Sequence, residues 1–355
     1  MSRRNAGAGS RALAGIAQER QAGMTRRRIL ITGATGFVGS RVAALLSTGD
    51  ATGSSPAIRL LAHRRRPRLG PGVRTEVRTG SLDRPDSLRG ICDGVDTVLH
   101  LASKIGGTLR TCTEVNDGGT AALLAEAERA GVRRVIQLGT TAVYRDGRHL
   151  CAREGELTVG PTTATSVTRL AGEERVLASG GLVLRPHLVY GSGDTWVVPA
   201  LAEFIRVVPH WVAGGLARVS VIGVADLARV IAALAVRDSL PVGEVLHASR
   251  PEPVRVRALI EATAAALDLP LPQGELTRAQ AAEQLGAARD ATWRRRLSLL
   301  TVDHWYDSSH LWNLLGTGPA LEFAADFAES VPWYRASAGL SPRRAAGPGG
   351  GLAGP

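Results

Sequence analysis

The sequence predicts an α/β chain built on a doubly wound parallel sheet, and three observations carry that prediction. A short apolar strand runs directly into glycines at 33, 36 and 39. Strands and helical stretches alternate after it at crossover spacing. Of the 355 residues, 44% are hydrophobic against 21% charged, enough to bury a large core.

The first strand falls in Arg28-Ile-Leu-Ile-Thr32, and Gly33-Ala-Thr-Gly-Phe-Val-Gly39 follows without a gap. Gly33 permits the tight strand-to-helix turn, Gly36 lets the backbone approach a pyrophosphate, and Gly39 lets the helix lie against the strand. The helix opening there is amphipathic through Val38, Val42, Leu45 and Leu46, and its positive N-terminus suits phosphate. This is a dinucleotide-binding turn. Ile58 to Ala62 reads as the second strand, Val95 to Ala102 as the fourth and Val135 to Leu138 as the fifth, with Gly118 to Ala130 helical before the fifth. Leu182 to Leu184 is the sixth strand and Glu244 to His247 the seventh. The stretches 186–220 and 249–337 read as loops and helices and hold all six tryptophans, as a smaller region closing over a pocket would.

The domain reading follows from this order. Residues 1–26, rich in Ala, Gly and Arg, are an extension without fixed structure; 27–185 form the dinucleotide-binding region, to which the strand near 244–248 returns; 186–337 are mainly substrate-binding; 338–355 are a Gly/Pro tail. Met24, just before the first strand, is an alternative start. The net charge of +11 resides mostly in the ends: residues 1–28 carry seven arginines and one glutamate, 339–355 carry two arginines, and about +3 remains for the rest. That excess argues against nucleic acid as a partner. No run approaches 18 apolar residues, which argues against a membrane span. Cys92, Cys112 and Cys151 are odd in number and lack metal-like spacing, as expected of reduced thiols in a cytoplasm.

Over residues 28–337 the chain resembles the extended short-chain dehydrogenase/reductase family, the NAD-dependent epimerase/dehydratase group. The likeness rests on Thr32-Gly-Ala-Thr-Gly-Phe-Val-Gly39, Gly94-Val-Asp-Thr-Val-Leu-His-Leu-Ala102, Val115-Asn-Asp-Gly-Gly-Thr120, Ala130-Gly-Val-Arg-Arg-Val-Ile136, Thr140-Thr-Ala-Val-Tyr144, Leu184-Arg-Pro-His-Leu-Val-Tyr-Gly191 and Val224-Ala-Asp-Leu-Ala228. It implies a Rossmann sheet with a smaller C-terminal substrate-binding domain and a nicotinamide cofactor. The cofactor contacts it implies are Gly33, Thr35, Gly36, Phe37, Val38, His63, Arg64, Ser81, Leu82, Leu101, Ala102, Ser103, Arg169 and Pro186. Family members that prefer NAD place a carboxylate at the end of the second strand; here Ala62 stands there, followed by His63, Arg64, Arg65 and Arg66. A guanidinium there pairs with a 2′-phosphate, so NADP is expected over NAD. Ser81 and Leu82 occupy the place of the family's adenine-holding acidic residue and its neighbour, with Asp83 next in line.

The family's acid/base is a tyrosine with a lysine four residues on, both on one helix face. In Thr165-Ser-Val-Thr-Arg169 those places hold Thr165 and Arg169, and the chain has a single lysine, Lys104, with His100 four residues before it. No Tyr-x-x-x-Lys exists in the sequence. Thr140 matches the family's substrate-orienting Ser/Thr. Tyr144 and His187 are the candidate substitutes for the acid, the imidazole having the better-placed pKa. On the substrate side stand Lys104, Asn116, Leu188 where sugar-nucleotide members carry asparagine, and Arg218 close to the family's arginine. Three functions fit: an oxidoreductase or epimerase of a nucleotide-activated (deoxy)sugar or related metabolite; a catalytically atrophied dinucleotide-binding relative with a structural or regulatory role; and a reductase of a hydrophobic ketone of steroid or polyketide type. Family members often pair through the helices at 118–130 and around Arg169, which implies a homodimer.

Overall fold

Ile29 and Ile31 pack on one face of the central sheet while Leu30, between them, packs on the other. All three are fully buried, so this strand is covered on both sides, as a doubly wound sheet requires. The computed structural model describes residues 27–48, 56–65, 67, 75–287 and 290–340. The extension expected over 1–26, most of the tail expected over 338–355, and Arg66 lie outside the described residues.

Along the chain come β1 (Arg28–Thr32), α1 (Phe37–Thr48), β2 (Ala57–Ala62), β3 (Thr75–Thr79), β4 (Thr97–His100), α2 (Leu109–Thr113), a π-helical turn over Glu114–Gly118, α3 (Gly119–Arg129), β5 (Arg134–Leu138), β6 (His149–Ala152), α4 (Ala164–Ala178), β7 (Leu182–Arg185) and β8 (Leu188–Tyr190). There follow α5 (Val197–Val207), β9 (Trp211–Val212), β10 (Arg218–Val219), β11 (Val221–Gly223), α6 (Val224–Val236), β12 (Val245–His247), β13 (Val254–Arg255), α7 (Val256–Leu267), β14 (Glu275–Leu276), α8 (Arg278–Gln284), α9 (Ala291–Thr301), β15 (His304–Tyr306), α10 (Ser309–Leu315) and α11 (Phe323–Ser337).

Seven of these strands form one sheet in the order β12-β7-β5-β4-β1-β2-β3, all parallel. The order reverses beside β1, and the crevice at that switch point is where such sheets bind ligands. One face buries α1 and α6 through Val38, Val42, Leu46, Leu227, Ile231 and Leu234; the other buries Leu88, Ile91, Leu123 and Ala127. A second core gathers Tyr190, Leu201, Ile205, Val219, Leu259 and Phe327. The segments expected to be only loops and helices contribute strands to three small ladders that close this region: β13-β10-β15-β6, β11-β8 and β14-β9. Their strands run two to four residues, too short to show alternation.

The tryptophans do not form one group. Trp312 packs in the first core with its indole donating to the Ser249 carbonyl at 2.8 Å, Trp211 is in the second, and Trp196 is 61% exposed. No helix among the described residues is long and apolar enough to cross a membrane.

Candidate active site

The glycine turn is closed by its own backbone. Gly33 has φ +72°, and a Cβ there would sit 2.7 Å from the Ala102 nitrogen, so β1 and the loop after β4 meet at a position only glycine fills. A Cβ on Gly39 would overlap the Gly33 carbonyl, which seats α1 directly on the turn. Gly36 is different: its Cβ would approach only the Gly33 oxygen, at 3.2 Å, leaving the space above the turn open. Beside it lies a cavity of about 390 Å³. Gly33, Thr35, His63, Arg64, Ser81, Leu82, Ala102 and Ser103, all expected cofactor contacts, line it, joined by Asp83 and Glu114. Lys104, expected on the substrate side, also lines this cavity.

A cradle closed to side chains beneath and open above, at a helix N-terminus, fits a dinucleotide pyrophosphate. Phe37 and Val38 serve the turn rather than the cavity, Phe37 lying against Gly193 and Val38 in the core; Leu101 contributes backbone against Gly33, and the Pro186 carbonyl accepts from the Thr141 N–H at 3.1 Å. Gly39→Ala is therefore expected to destabilise the fold by about 3 kcal/mol through backbone overlap and to abolish dinucleotide binding, as read by urea melts and by quenching of protein fluorescence on NADPH addition.

At the far end of the crevice α4 presents Thr165 and Arg169 where the resemblance asks for tyrosine and lysine. Thr165 Oγ1 accepts from the Gly106 N–H at 3.0 Å, pinning the loop after β4. The Arg169 guanidinium donates to the carbonyls of Leu138 and Gly139 at 2.9 and 2.7 Å, capping the end of β5. It is thus committed to backbone and cannot readily release a proton. One turn on, Glu173 is fully buried and accepts from the Thr140 N–H at 3.0 Å and from Arg185 Nε at 2.8 Å. Burial pushes the Glu173 carboxyl up, while Arg185 and Arg169 pull it down.

Arg185 also donates to the Tyr144 hydroxyl at 3.1 Å, and that hydroxyl meets His247 Nε2 at 2.7 Å. Because His247 Nδ1 faces the Asp307 carbonyl at 3.2 Å, its hydrogen is there, and Tyr144 is the donor to Nε2. Tyr144 is 4% exposed and burial raises its pKa. It is a brace between β7 and β12, not a free acid. Thr140 remains positioned at the strand end, its Oγ1 accepting from the Ala142 N–H at 3.2 Å.

His187 has the opposite character. Its Nδ1 lies 2.8 Å from Thr141 Oγ1, directly across the β5 and β7 ends, and its Nε2 is shielded with no hydrogen-bond partner among the described residues. Burial and the facing His304, His149 and Arg295 hold its pKa well below the usual imidazole value, so it is a neutral ring at pH 7. Asn116 is spent on structure: Oδ1 accepts from Lys104 N–H at 2.6 Å, and Nδ2 donates to the Lys104 carbonyl and to Thr168, both at 3.0 Å. Leu188 pairs with Val221 in the β8-β11 ladder.

Arg218 does line a ligand-sized space, a cavity of about 1330 Å³ bounded by β6, β10, β13, α8 and α9. Six arginines line it, Arg148, Arg218, Arg255, Arg278, Arg294 and Arg295, against Asp146 and Asp303, and no tryptophan does. Arg148 pairs with Asp303 at 2.9 Å and Arg295 with Asp146 at 3.7 Å. Among the described residues no carboxylate forms a salt bridge with the other four, although Asp303 accepts from the Arg218 N–H at 2.9 Å and its carboxylate is held down in part by the Arg218 charge. Sequence reasoning found only Arg218 of this set, because the rest come from segments distant along the chain.

A family model described as NAD dependent epimerase/dehydratase family matches residues 29–248. The chain belongs to this family. As a member it is an NAD-dependent enzyme of the extended short-chain dehydrogenase/reductase type. Among its family relatives is the ceramide reductase of Caulobacter vibrioides, 28% identical over 342 residues that cover 88% of this chain and 96% of that protein. Another is the dTDP-4-dehydro-6-deoxy-D-allose reductase of a Streptomyces species, 28% identical over 240 residues, 57% of this chain and 71% of that one. The crystal structure of the Bordetella bronchiseptica enzyme WbmH in complex with NAD+ shares the fold, with a TM-score of 0.68 at 19% identity, covering 87% of this chain and 99% of that one.

Proposed function

We propose that this family member is an NADP(H)-linked oxidoreductase that interconverts a hydroxyl and a keto carbon on a phosphate-bearing sugar, a nucleotide-diphosphate sugar being the class. The observation that carries the reading is the arginine cavity. Arg218 and Arg255 stand directly opposite each other in the antiparallel β10-β13 pair, like charges that disfavour one another, are offset on the protein side by Asp303 beside Arg218, and would gain from a further anion between them. Guanidinium forks suit the oxygens of a diphosphate.

The preference for the 2′-phosphorylated dinucleotide rests on His63 and Arg64 at the cavity rim, with no carboxylate closing β2. When bound, the nicotinamide ring supplies or accepts the hydride. Thr140 orients the reacting oxygen, and His187, the one candidate with an unengaged nitrogen, handles its proton. Three unpaired cysteines fit a cytoplasmic protein, and pairing of two copies would run through α3 and α4, where the apolar Val167 is exposed on α4.

The test is a dinucleotide titration followed by a substrate screen. NADPH is expected to bind more tightly than NADH, and Arg64→Ala to narrow that margin about tenfold, the worth of one charge-assisted hydrogen bond. Keto-sugar nucleotides are expected to be reduced, and Arg218→Ala to raise KM about 10-fold or more with kcat retained. A chain that reduces a steroid or acyl ketone but no sugar nucleotide overturns the substrate class. One observation favours a second reading, the atrophied relative: Thr165 and Arg169 are both committed to backbone. Turnover only after Thr165→Tyr with Arg169→Lys would establish it.

A further inference from the structure

Lys104 is the one lysine in a chain with 42 arginines, and it lines the dinucleotide cavity. Its backbone is held on both sides. The Lys104 N–H donates to Asn116 Oδ1 at 2.6 Å and its carbonyl accepts from Asn116 Nδ2 at 3.0 Å, while Asn116, 4% exposed, is itself anchored on Thr168 Oγ1 of α4 at 3.0 Å. Two residues on, the Gly106 N–H donates to Thr165 Oγ1, also on α4, at 3.0 Å. Gly107 completes the turn with φ +102°, and a Cβ there would meet Thr111 Oγ1 at 2.9 Å and Lys104 Cε at 3.5 Å, so the lysine stem runs beside a position that needs glycine. Only the ammonium is left uncommitted. Among the described residues it has neither a hydrogen bond nor an ion pair. The two carboxylates of the cavity are engaged elsewhere, Glu114 with Arg110 Nε at 2.9 Å and Asp83 with the Ser81 hydroxyl, beside His63 and Arg84.

Sheet order places this charge. β4 and β2 flank β1, so Lys104, four residues after β4, and Arg64, two residues after β2, stand on opposite sides of the glycine turn that ends β1. A dinucleotide cradled at that turn keeps the ribose of its adenosine at the end of β2 and its diphosphate over the turn. Arg64 is thus on the side of the 2′-phosphate, and Lys104 is within the reach of the diphosphate.

We propose that the Lys104 ammonium clamps the diphosphate of the bound dinucleotide, and that α4, without the tyrosine and lysine of the family, carries Thr165 and Thr168 as struts for the loop that bears it. The proposal rests on the dinucleotide reading above and is independent of the substrate class. Arg169 shows why the charge has to come from elsewhere: its guanidinium is spent on the Leu138 and Gly139 carbonyls. A lysine suits the task because its compact ammonium has three donors that turn to whichever phosphate oxygen is nearest, with no planar fork to align. Thr165, Thr168 and Asn116 are positioning residues that act through Lys104.

Fluorescence titrations of the full chain with NADH and NADPH, at about 0.05 and about 0.3 M NaCl, test the clamp. Lys104→Met is expected to weaken both dinucleotides about tenfold and by the same factor, the worth of one charge-assisted hydrogen bond to a group they share, and to flatten the salt dependence. Thr165→Val should reproduce part of this loss, Thr165→Ser should not, and Thr165→Val should have no further effect once Lys104 is Met. The natural chain supplies a measurement that needs no variant. Acetic anhydride has one lysine to acetylate, and NADH at about ten times its Kd is expected to slow that acetylation about tenfold, as read by peptide mass spectrometry. Unchanged affinity in Lys104→Met, a loss confined to NADPH, or acetylation at the same rate with NADH bound overturns the clamp and leaves the dinucleotide reading standing. A natural chain that binds neither dinucleotide overturns both.

Discussion

Lowering the pH from 7 towards 4 is expected to strip the fold of stability across a window set by its histidines. His100, His149, His187, His247 and His304 all have pKa values below the ordinary imidazole value, in each case chiefly because burial penalises the charged ring. His100 is the clearest. It lies 2% exposed with Thr32 Oγ1 at 2.9 Å from Nδ1 and Thr120 Oγ1 at 2.9 Å from Nε2, and its pKa falls to about 4. The folded values are depressed, so the unfolded chain takes up protons first as the pH drops through about 6.5. Their contribution is therefore fully present above 6.5 and is lost progressively as the pH falls to the folded value. For His100 alone the full loss is about 3 kcal/mol. The other four add in the same direction. Asp303 and Asp307, held below their ordinary values, titrate beneath this window. Urea melts at pH 7.5, 6 and 5 should show a falling midpoint at constant slope; a flat midpoint would contradict the assignment of neutral buried rings.

Arg185→Leu is expected to cost about 3 kcal/mol, because it strands the Glu173 carboxylate in a site closed to water. Arg185 and Glu173 are 6% and 0% exposed. Arg169 still faces the carboxylate after the change, which places the cost at the lower end of the range for a broken buried pair. Glu173→Leu in the same chain should recover part of the loss, so the two substitutions should be strongly non-additive in a double-mutant cycle. Additive costs would mean that the pair carries no coupling. The single variant should also loosen Thr140, whose N–H is held by the same carboxylate, and lower activity beyond the loss of folded protein.

The main sheet was legible because its strands are buried on both faces and read as apolar runs; β1, β2, β4, β5 and β7 fall where the sequence places them, within a few residues. β3 is the exception. Its Thr-Glu-Val-Arg-Thr lies at the sheet edge with the last three residues exposed, so no apolar pattern marks it. The dinucleotide cradle was legible because glycine spacing is local chemistry. The absence of the tyrosine and lysine was equally plain, but what Thr165 and Arg169 do instead is a matter of backbone partners that spacing does not reveal. The histidine cluster and the arginine cavity were hidden for a different reason. His149, His187, His247 and His304 are scattered over more than 150 residues, and each alone reads as an ordinary core residue. Only the return of β12 and β15 beside the earlier strands makes them neighbours.

That return also governs how the molecule is made. β12 supplies the outermost strand beside β7, and α6 covers the same sheet face as α1, yet both are encoded after most of the strands they join. On the ribosome, the nascent chain up to β7 has its cradle sequence complete but Val183 and Leu184 on an open edge and the α1 side of the sheet uncovered. A polypeptide released or stalled before residue 224 would expose both to the cell's chaperones and proteases. The dinucleotide region therefore matures late, in one event with the region that closes over it, and truncation is a poor route to a free-standing cofactor-binding half.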